Sequence, residues 1–242
     1  MIPHVLILAA GRSTRITPVS GGTPKPLLPV AGKPIVAHTL EWLAGSGVRS
    51  AWMNLHYQAE VIRQALGDGT RFGVALCYSH EPEILGTAGA WKQLIAHWTA
   101  TSLVIYGDNL MRFDLAAFLA AHRRSGAPAT VALFDPARHR NTGIAGGRVR
   151  LEGDGKIRQF VEGGEAASGL VNAGAYLLEP VVGEAIGPGF QDFARDVFPG
   201  MAGAGRLAGH RLENGAFCLG LDTPESFRRA EELVHAETVR LS

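Results

Sequence analysis

The sequence predicts an α/β fold, a doubly wound and mostly parallel mixed sheet followed by a smaller mixed α+β lobe. Three observations carry this expectation. Short apolar runs alternate with amphipathic helical stretches from Val5 to Phe134, the rhythm of βαβ units with helices on both faces of a sheet. The first run, Val5 to Ala10, is unbroken and stops at Gly11, as a parallel strand buried on both faces does. Beyond Phe134 the rhythm gives way to hairpin signals and mixed elements. A chain of 242 residues that is 46% apolar can fill one large core with a modest appendage. Neither a repeat nor a low-complexity linker divides it. We read 1–242 as a single domain, about 1–135 and about 136–242 forming its two lobes.

Taken in order, Val5 to Ala10 is the first strand, and residues 11–34 hold too many Gly, Pro, Ser and Thr for regular structure. Pro34 opens a helix that Gly45 and Gly47 stop. A strand over Val48 to Leu55 and a helix over Gln58 to Leu66 follow, then a strand over Val74 to Tyr78. Thr87 to His97 is expected to be helical with Thr87 as a possible N-cap. Leu103 to Tyr106 is a strand ended by Gly107-Asp108-Asn109, Leu115 to Arg124 a helix, and Ala129 to Phe134 a strand. In the second half, Arg148 to Leu151 and Ile157 to Val161 flank Gly153-Asp154-Gly155, a hairpin signal. Leu170 to Leu178 is a strand, and Phe190 to Phe198 has a helical pattern. About Arg206 to Leu219 looks like a strand pair around Asn214-Gly215, and Glu225 to Val239 is the final helix.

Composition narrows the function classes. A formal charge of +1 gives no whole-chain field for nucleic acid, so basic groups matter locally, in a pocket. Cys77 and Cys218 are far apart without a CxxC spacing and read as two reduced, buried thiols of a cytoplasmic protein. No apolar run reaches the roughly 20 residues of a membrane span, and the N-terminus lacks the basic region of a signal peptide.

In doubly wound sheets ligands bind at the carboxyl ends of the strands. The loops after Ala10, Tyr78 and Tyr106 are therefore the places to search. Ala9-Ala10-Gly11-Arg12-Ser13-Thr14-Arg15 follows the first strand with small residues that let backbone N–H groups approach a phosphate. It is not the dinucleotide GxGxxG, because Ser13 holds the second glycine position and the third is absent; nor does it end in the GK[ST] of a P-loop. Ten residues past Arg15, Pro24 and Pro26 stiffen the backbone around Lys25, which suits a fixed anionic target. Asp108 ends a buried strand, where an acid faces the crevice. Asp222 precedes the last helix in Asp222-Thr223-Pro224-Glu225, where a turn or cap role competes with a ligand role. Magnesium takes one or two carboxylates plus waters and phosphate oxygens, a demand that two converging aspartates would meet. No zinc pattern is present.

Residues 5–36 resemble the signature of the sugar-1-phosphate nucleotidyltransferases, a strand followed by G-x-G-[ST]-R and later P-K-P-[LM], with Ser13 replacing the second glycine. Glu81-Pro82-Glu83-Ile84-Leu85-Gly86-Thr87-Ala88-Gly89-Ala90 resembles the family's L-G-T-A-[GX]-A segment. Asp222-Thr223-Pro224-Glu225 is similar to its late D-T-P-E. Thr142-Gly143-Ile144, Val161-Glu162 and Asn172-Ala173-Gly174-Ala175-Tyr176 resemble its Y-G-V, V-E-K-P and N-[AS]-G-[IA]-Y elements. The resemblance spans about residues 4–230 and implies a Rossmann-like fold of the nucleotide-diphospho-sugar transferase type, in the short form without the C-terminal β-helix and with a single activity. It implies Mg2+ on Asp108 and Asp222, with Arg15 and Lys25 on the phosphates. Ala9, Ala10, Gly11, Ser13, Thr14, Gly86, Thr87 and Ala88 would hold the nucleotide, Gly86 by letting the flat base come close to the backbone. Gly143, Glu162, Asn172 and Gly174 would line the sugar. One departure is Gly163-Gly164 in place of the lysine that usually follows the glutamate. Arg138, Arg140, Arg158 and Arg195 are candidate substitutes.

The implied reaction is in-line attack of a sugar 1-phosphate oxygen on the α-phosphorus of a nucleoside triphosphate, releasing pyrophosphate. With a second phosphate pKa of about 6 the nucleophile is already ionised, so positioning and charge neutralisation carry catalysis. The Leu85–Ala90 segment and the Leu170–Leu178 strand resemble guanylyltransferases for mannose- or heptose-type sugars, whereas residues 67–73 resemble uridylyltransferases. Rival readings are a uridylyl- or thymidylyltransferase, an enzyme for a non-sugar or carbasugar phosphate, and a sugar-nucleotide binder without turnover. An oxidoreductase is disfavoured by the glycine pattern. The expected partners are the two substrates alone, with the chain a monomer or homodimer.

Overall fold

The structure is a computed structural model that describes residues 2–12, 14–142, 146–162 and 169–236, the side chains of 14 and 17 excepted. Its strands are β1 (His4–Leu8), β2 (Pro29–Val30), β3 (Lys33–Pro34), β4 (Ser50–Leu55), β5 (Ala75–His80), β6 (Ser102–Tyr106) and β7 (Asn109–Arg112). They continue as β8 (Ala129–Phe134), β9 (Arg140–Asn141), β10 (Arg148–Leu151), β11 (Ile157–Val161), β12 (Leu170–Leu178), β13 (Leu207–Arg211) and β14 (Phe217–Gly220). The helices are α1 (Thr17–Ser20), α2 (Ile35–Gly45), α3 (Ala59–Leu66), α4 (Gly86–Ile95), α5 (Leu115–Ser125), α6 (Phe198–Gly203) and α7 (Pro224–His235).

The main sheet has nine strands, with β11-β10-β12-β6-β1-β4-β5 in order and β8 joining β12 to β13. Its centre, β6-β1-β4-β5, is parallel, as the alternating rhythm predicts, and β12 runs antiparallel against β6. From β1 the chain steps to β4 and β5 on one side, then returns as β6 on the other. The order of strands therefore reverses at β1, where ligands bind in open α/β sheets.

Each face of β1 belongs to a different core, because side chains alternate along a strand. Val5, Ile7 and Ala9 pack with Val36 and Leu40 of α2 and Phe118 of α5. Leu6 and Leu8 pack with Trp91 of α4 and with Phe193 and Phe198. A third cluster positions the site: Ile16, Leu28, Val30 and Ile35 pack with Leu219, Leu221, Phe227 and Leu233. It seats the segment between β1 and α2 against β14 and α7, nearly 200 residues away in sequence.

Three local expectations need correction. Asn214-Gly215 does not close a hairpin: β13 pairs parallel with β8 and β14 antiparallel with β7, in different sheets. Leu212 donates its N–H to Leu133, so tertiary pairing overrides the turn signal. Thr87 is not an N-cap; α4 begins at Gly86 after Leu85, and the Thr87 hydroxyl bonds Asp192 instead. Residues 190–192 are not helical. Asp192 caps a single π-type turn over Phe193–Val197 before α6.

Candidate active site

The strand register brings the carboxyl edge together. Leu8 of β1 lies opposite Tyr106 of β6 and Asn54 of β4, and Glu81 follows directly after β5. These ends wall a cleft of about 210 Å³ that also includes Ala9, Ala10, Gly11, Pro26, Ile84, Gly86, Thr87, Asp108, Phe190 and Asp192. All three loops singled out from the sequence reach it. Gly107 sets the position of Asp108: its N–H bonds Leu8 O at 2.9 Å, and a Cβ there would meet Ile7 at 2.7 Å. Only glycine lets the chain turn that close to β1.

Lys25, Asp108 and Asp222 converge. The Lys25 Nζ donates to Asp108 Oδ2 at 3.0 Å and to Asp222 Oδ1 at 2.7 Å. Its side chain is only 1% exposed, while the two carboxylates are about one-third exposed. Arg15 reaches Asp222 Oδ1 at 3.5 Å from a side chain that is mostly exposed, a contact that contributes little in water. Burial alone would depress the Lys25 ammonium, but Asp108 and Asp222 outweigh it and hold the pKa above its ordinary value. Lys25 is therefore a cation at neutral pH. Two of its three donors are engaged by the acids, which leaves one for another oxygen.

The last helix explains why Asp222 is free for this. Thr223 is the N-cap, in a reciprocal capping box with Ser226, and Pro224 occupies the first turn. The cap role suspected for Asp222 thus belongs to its neighbour.

Among the described residues no three His, Cys, Asp or Glu side chains cluster as metal ligands. Asp108 and Asp222 do supply two hard carboxylates from separate elements, both open to solvent and close enough to share one ammonium. This donor set fits magnesium, which retains waters and takes its remaining oxygens from phosphates.

The opposite end of the cleft holds a buried carboxylate. Glu81 is 1% exposed; its Oε1 accepts from Asn54 Nδ2 at 2.8 Å and its Oε2 from Leu85 N at 3.0 Å. Asn54 Oδ1 in turn accepts the Ala9 N–H at 2.9 Å. Glu81 so ties the ends of β1, β4 and β5 to the entry of α4.

Gly86 also has a reason within the fold. Its φ is +74°, and a Cβ would lie 2.4 Å from the Gln191 carbonyl oxygen. That oxygen accepts from Ala88 N at 2.9 Å and Gly89 N at 3.2 Å, and Gln191 N donates to Leu85 O at 2.9 Å. The start of α4 is thus plugged by a strap over residues 187–192, and the Ala88 N–H is engaged within the protein. Gly86 and Thr87 still line the cleft.

On the sugar side, Asn172 is buried, with Nδ2 on Tyr176 Oη at 2.9 Å and Oδ1 accepting the Gly174 N–H at 2.9 Å. Gly174 faces the Tyr106 ring, and Tyr176 Oη donates to Tyr106 Oη at 3.4 Å. Asn172 and Gly174 therefore shape the floor beneath Tyr106. Glu162 follows β11 with its carboxylate over Gly147. Partial enclosure, then the nearby Asp192, raises its pKa. Ser13 and Gly143, like Gly163-Gly164, lie outside the described residues, as does the Thr14 side chain. Of the candidate arginines, Arg138 pairs with Asp135 and Arg158 with Glu152. Arg195 pairs with Asp196 and lies over the cleft-lining Phe190.

Asn54, Glu81, Tyr106, Phe190 and Asp192 line the cleft without having been assigned a role from sequence. A signal existed for two of them. Asn54 is a polar residue inside an apolar strand, and Glu81 falls in the loop after the third strand. Asp192 and Phe190 arrive from the second half through the strap, which no local pattern announces.

The chain is 32% identical over 229 residues to the mannose-1-phosphate guanylyltransferase catalytic subunit beta of Drosophila pseudoobscura pseudoobscura, covering 93% of this chain and 60% of the relative. It is 34% identical over 216 residues to the UTP–glucose-1-phosphate uridylyltransferase of Synechocystis, covering 83% of this chain and 55% of that one. The chain thus spans less than two-thirds of the length of either relative. Among solved structures, HddC from Yersinia pseudotuberculosis superposes with a TM-score of 0.80 at 26% identity, covering 96% of this chain and 99% of that one. The same protein complexed with GMP-PN gives a TM-score of 0.79 at 25% identity. The family profile described as nucleotidyl transferase matches residues 4–237, the span that holds the whole sheet and both aspartates, and the chain belongs to that family.

Proposed function

We propose that this chain transfers a nucleotidyl group from a nucleoside triphosphate to a sugar 1-phosphate with magnesium, releasing pyrophosphate, and that the base is guanine. The observation that carries the reaction is the convergence of Asp108 and Asp222 on Lys25 beside the cleft that Asp108 lines. Asp108 and Asp222 would hold the magnesium, which would supply charge neutralisation on the phosphates. Lys25 fixes the two carboxylates and offers its third donor to a phosphate oxygen. Arg15, exposed beside Asp222, offsets charge on the leaving pyrophosphate. The sugar phosphate oxygen attacks the α-phosphorus in line; it is ionised near neutral pH, so no protein base is required.

Glu81 favours guanine. The guanine edge presents N1–H and N2–H donors side by side, which a carboxylate can accept together. Uracil and thymine present a single N–H between two carbonyl oxygens, and those oxygens would face the carboxylate unfavourably. The guanylyltransferase relative and the GMP-PN complex of HddC point the same way. On the sugar side, Glu162 and Asp192 would accept hydroxyl hydrogen bonds from a sugar 1-phosphate, which we take to be of the mannose or heptose type. The uridylyltransferase relative supports a second reading, with UTP as the donor.

Pyrophosphate release with magnesium, measured for GTP, UTP, dTTP and ATP against mannose, glucose and heptose 1-phosphates, tests both parts. GTP with a mannose- or heptose-type acceptor should be turned over fastest. Preference for UTP or dTTP overturns the guanine assignment alone. Nucleotide binding without pyrophosphate release under any pairing overturns the reaction.

A further inference from the structure

Of the six large apolar side chains left exposed among the described residues, only Phe190 (48% exposed) and Ile84 (41%) line the cleft. Exposed apolar groups at the mouth of a ligand cleft mark surface that a ligand covers. Phe190 is not on a loose tip. The next residue, Gln191, is held by three backbone hydrogen bonds to Leu85, Ala88 and Gly89. Arg195 places its guanidinium 5.3 Å from the Phe190 ring centroid, which covers one face and leaves the other for a ligand. Ile84 immediately precedes Leu85, whose N–H is bonded to Glu81 Oε2 and whose carbonyl is bonded to Gln191. Ile84 is therefore one peptide away from the residue that bonds Glu81, and Phe190 one peptide away from the residue that bonds Leu85.

We infer that Phe190 and Ile84 form an apolar clamp on the nucleotide base, with Phe190 stacking on its face while Glu81 reads its edge. This rests on the proposed function, which puts the base at the Glu81 end of the cleft. The apolar pair matches a base, flat and aromatic on both faces, better than a puckered sugar ring rimmed by hydroxyls. Strap residues 187–192 thus tie base binding to Asp192 on the sugar side.

The test is GTP binding to the full chain with magnesium and no acceptor, followed by isothermal titration calorimetry, together with KM for both substrates. Phe190→Ala should weaken GTP binding about tenfold, equivalent to about 1.4 kcal/mol at 25 °C, and raise the KM for GTP but not for the sugar 1-phosphate. Phe190→Trp should retain the aromatic contact and bind within about threefold of the parent. Val181→Ala, which trims another exposed apolar residue outside the cleft, should leave binding unchanged. GTP affinity of Phe190→Ala within about twofold of the parent, or a rise confined to the sugar-phosphate KM, overturns the clamp. If the parent chain binds UTP in preference to GTP, the guanine assignment fails, and the clamp is judged by the same variants with UTP: a loss on Phe190→Ala upholds it and no loss overturns it.

Discussion

Removing the Lys25 ammonium would leave two aspartates facing one another with no cation between them. Taking one partner from a buried ionic cluster costs more than the pair contributes, although carboxylates one-third exposed recover part of that loss through solvent. We expect Lys25→Met to lower stability by about 2 kcal/mol, read by chemical denaturation, and to cut turnover about 100-fold. Asp108→Asn should lower turnover by a similar factor with little effect on stability; near-normal kcat would remove Asp108 from the chemistry. At the other end of the cleft, Glu81→Gln replaces one acceptor by a donor while Asn54 and Leu85 can keep the remaining oxygen bonded. GTP should lose at least about tenfold in kcat/KM relative to UTP, as initial rates with the two triphosphates would reveal. Glu162 titrates above its ordinary range because of partial enclosure and the Asp192 charge. Its ionised form, the better acceptor for sugar hydroxyls, is lost as pH falls through that raised pKa. Asp192→Asn removes the second cause and should shift the acid limb of kcat/KM for the sugar phosphate to lower pH; an unmoved limb would separate Glu162 from sugar binding.

At the scale of elements, the strap over 187–192 and the start of α4 make one unit. Its glycine is required twice over, by a φ of +74° and by the Gln191 carbonyl 2.4 Å from where a Cβ would stand. A left-handed conformation costs an L-residue about 1–2 kcal/mol, and the displaced strap adds to it. Gly86→Ala should therefore lower Tm by about 5 °C or more, with the loss visible in a thermal melt, and raise the KM for the triphosphate by shifting Leu85 away from Glu81. A variant melting like its parent would show that the strap does not hold α4. The same logic governs the end of the chain, where Thr223 caps α7 so that the adjacent Asp222 need not.

Across the whole molecule, β14 and α7 close over the segment that carries Arg15 and Lys25, and Cys218 lies at the seam, its thiol bonded to Ala173 of β12. Burial pushes that thiol up to about 12, whereas Cys77, expected from sequence to be buried as well, is exposed on β5. A thiol titration should count one reactive group in the native protein and two in denaturant. Because the unfolded chain releases the Cys218 proton near 9 and the folded one does not until about 12, the folded state is progressively disfavoured as pH rises between these values. Stability of the parent relative to Cys218→Ala should fall over that window in denaturant melts; a constant difference would mean that the thiol is not buried. None of the described helices is long and apolar enough to cross a membrane.

Hydrophobic periodicity, a local property, was enough to place the parallel centre of the sheet, the glycine loop at its edge and the acids beyond β6 and β14. Period and turn chemistry are written within a few residues, and strand ends in a doubly wound sheet point to one crevice. Lys25 and the D-T-P-E aspartate were legible as a basic and an acidic group seeking a shared ligand. That Lys25 would lie between the acids, and that Glu81, Asn54 and Asp192 would complete the cleft, depended on contacts separated by up to 197 residues. Strand register and the packing of the third core fix those contacts, and no short window of sequence encodes either. For the same reason Asn214-Gly215 looked like a hairpin until pairing with β8 decided otherwise, and the need of the Gln191 strap for a glycine at 86 could be seen only in the folded chain.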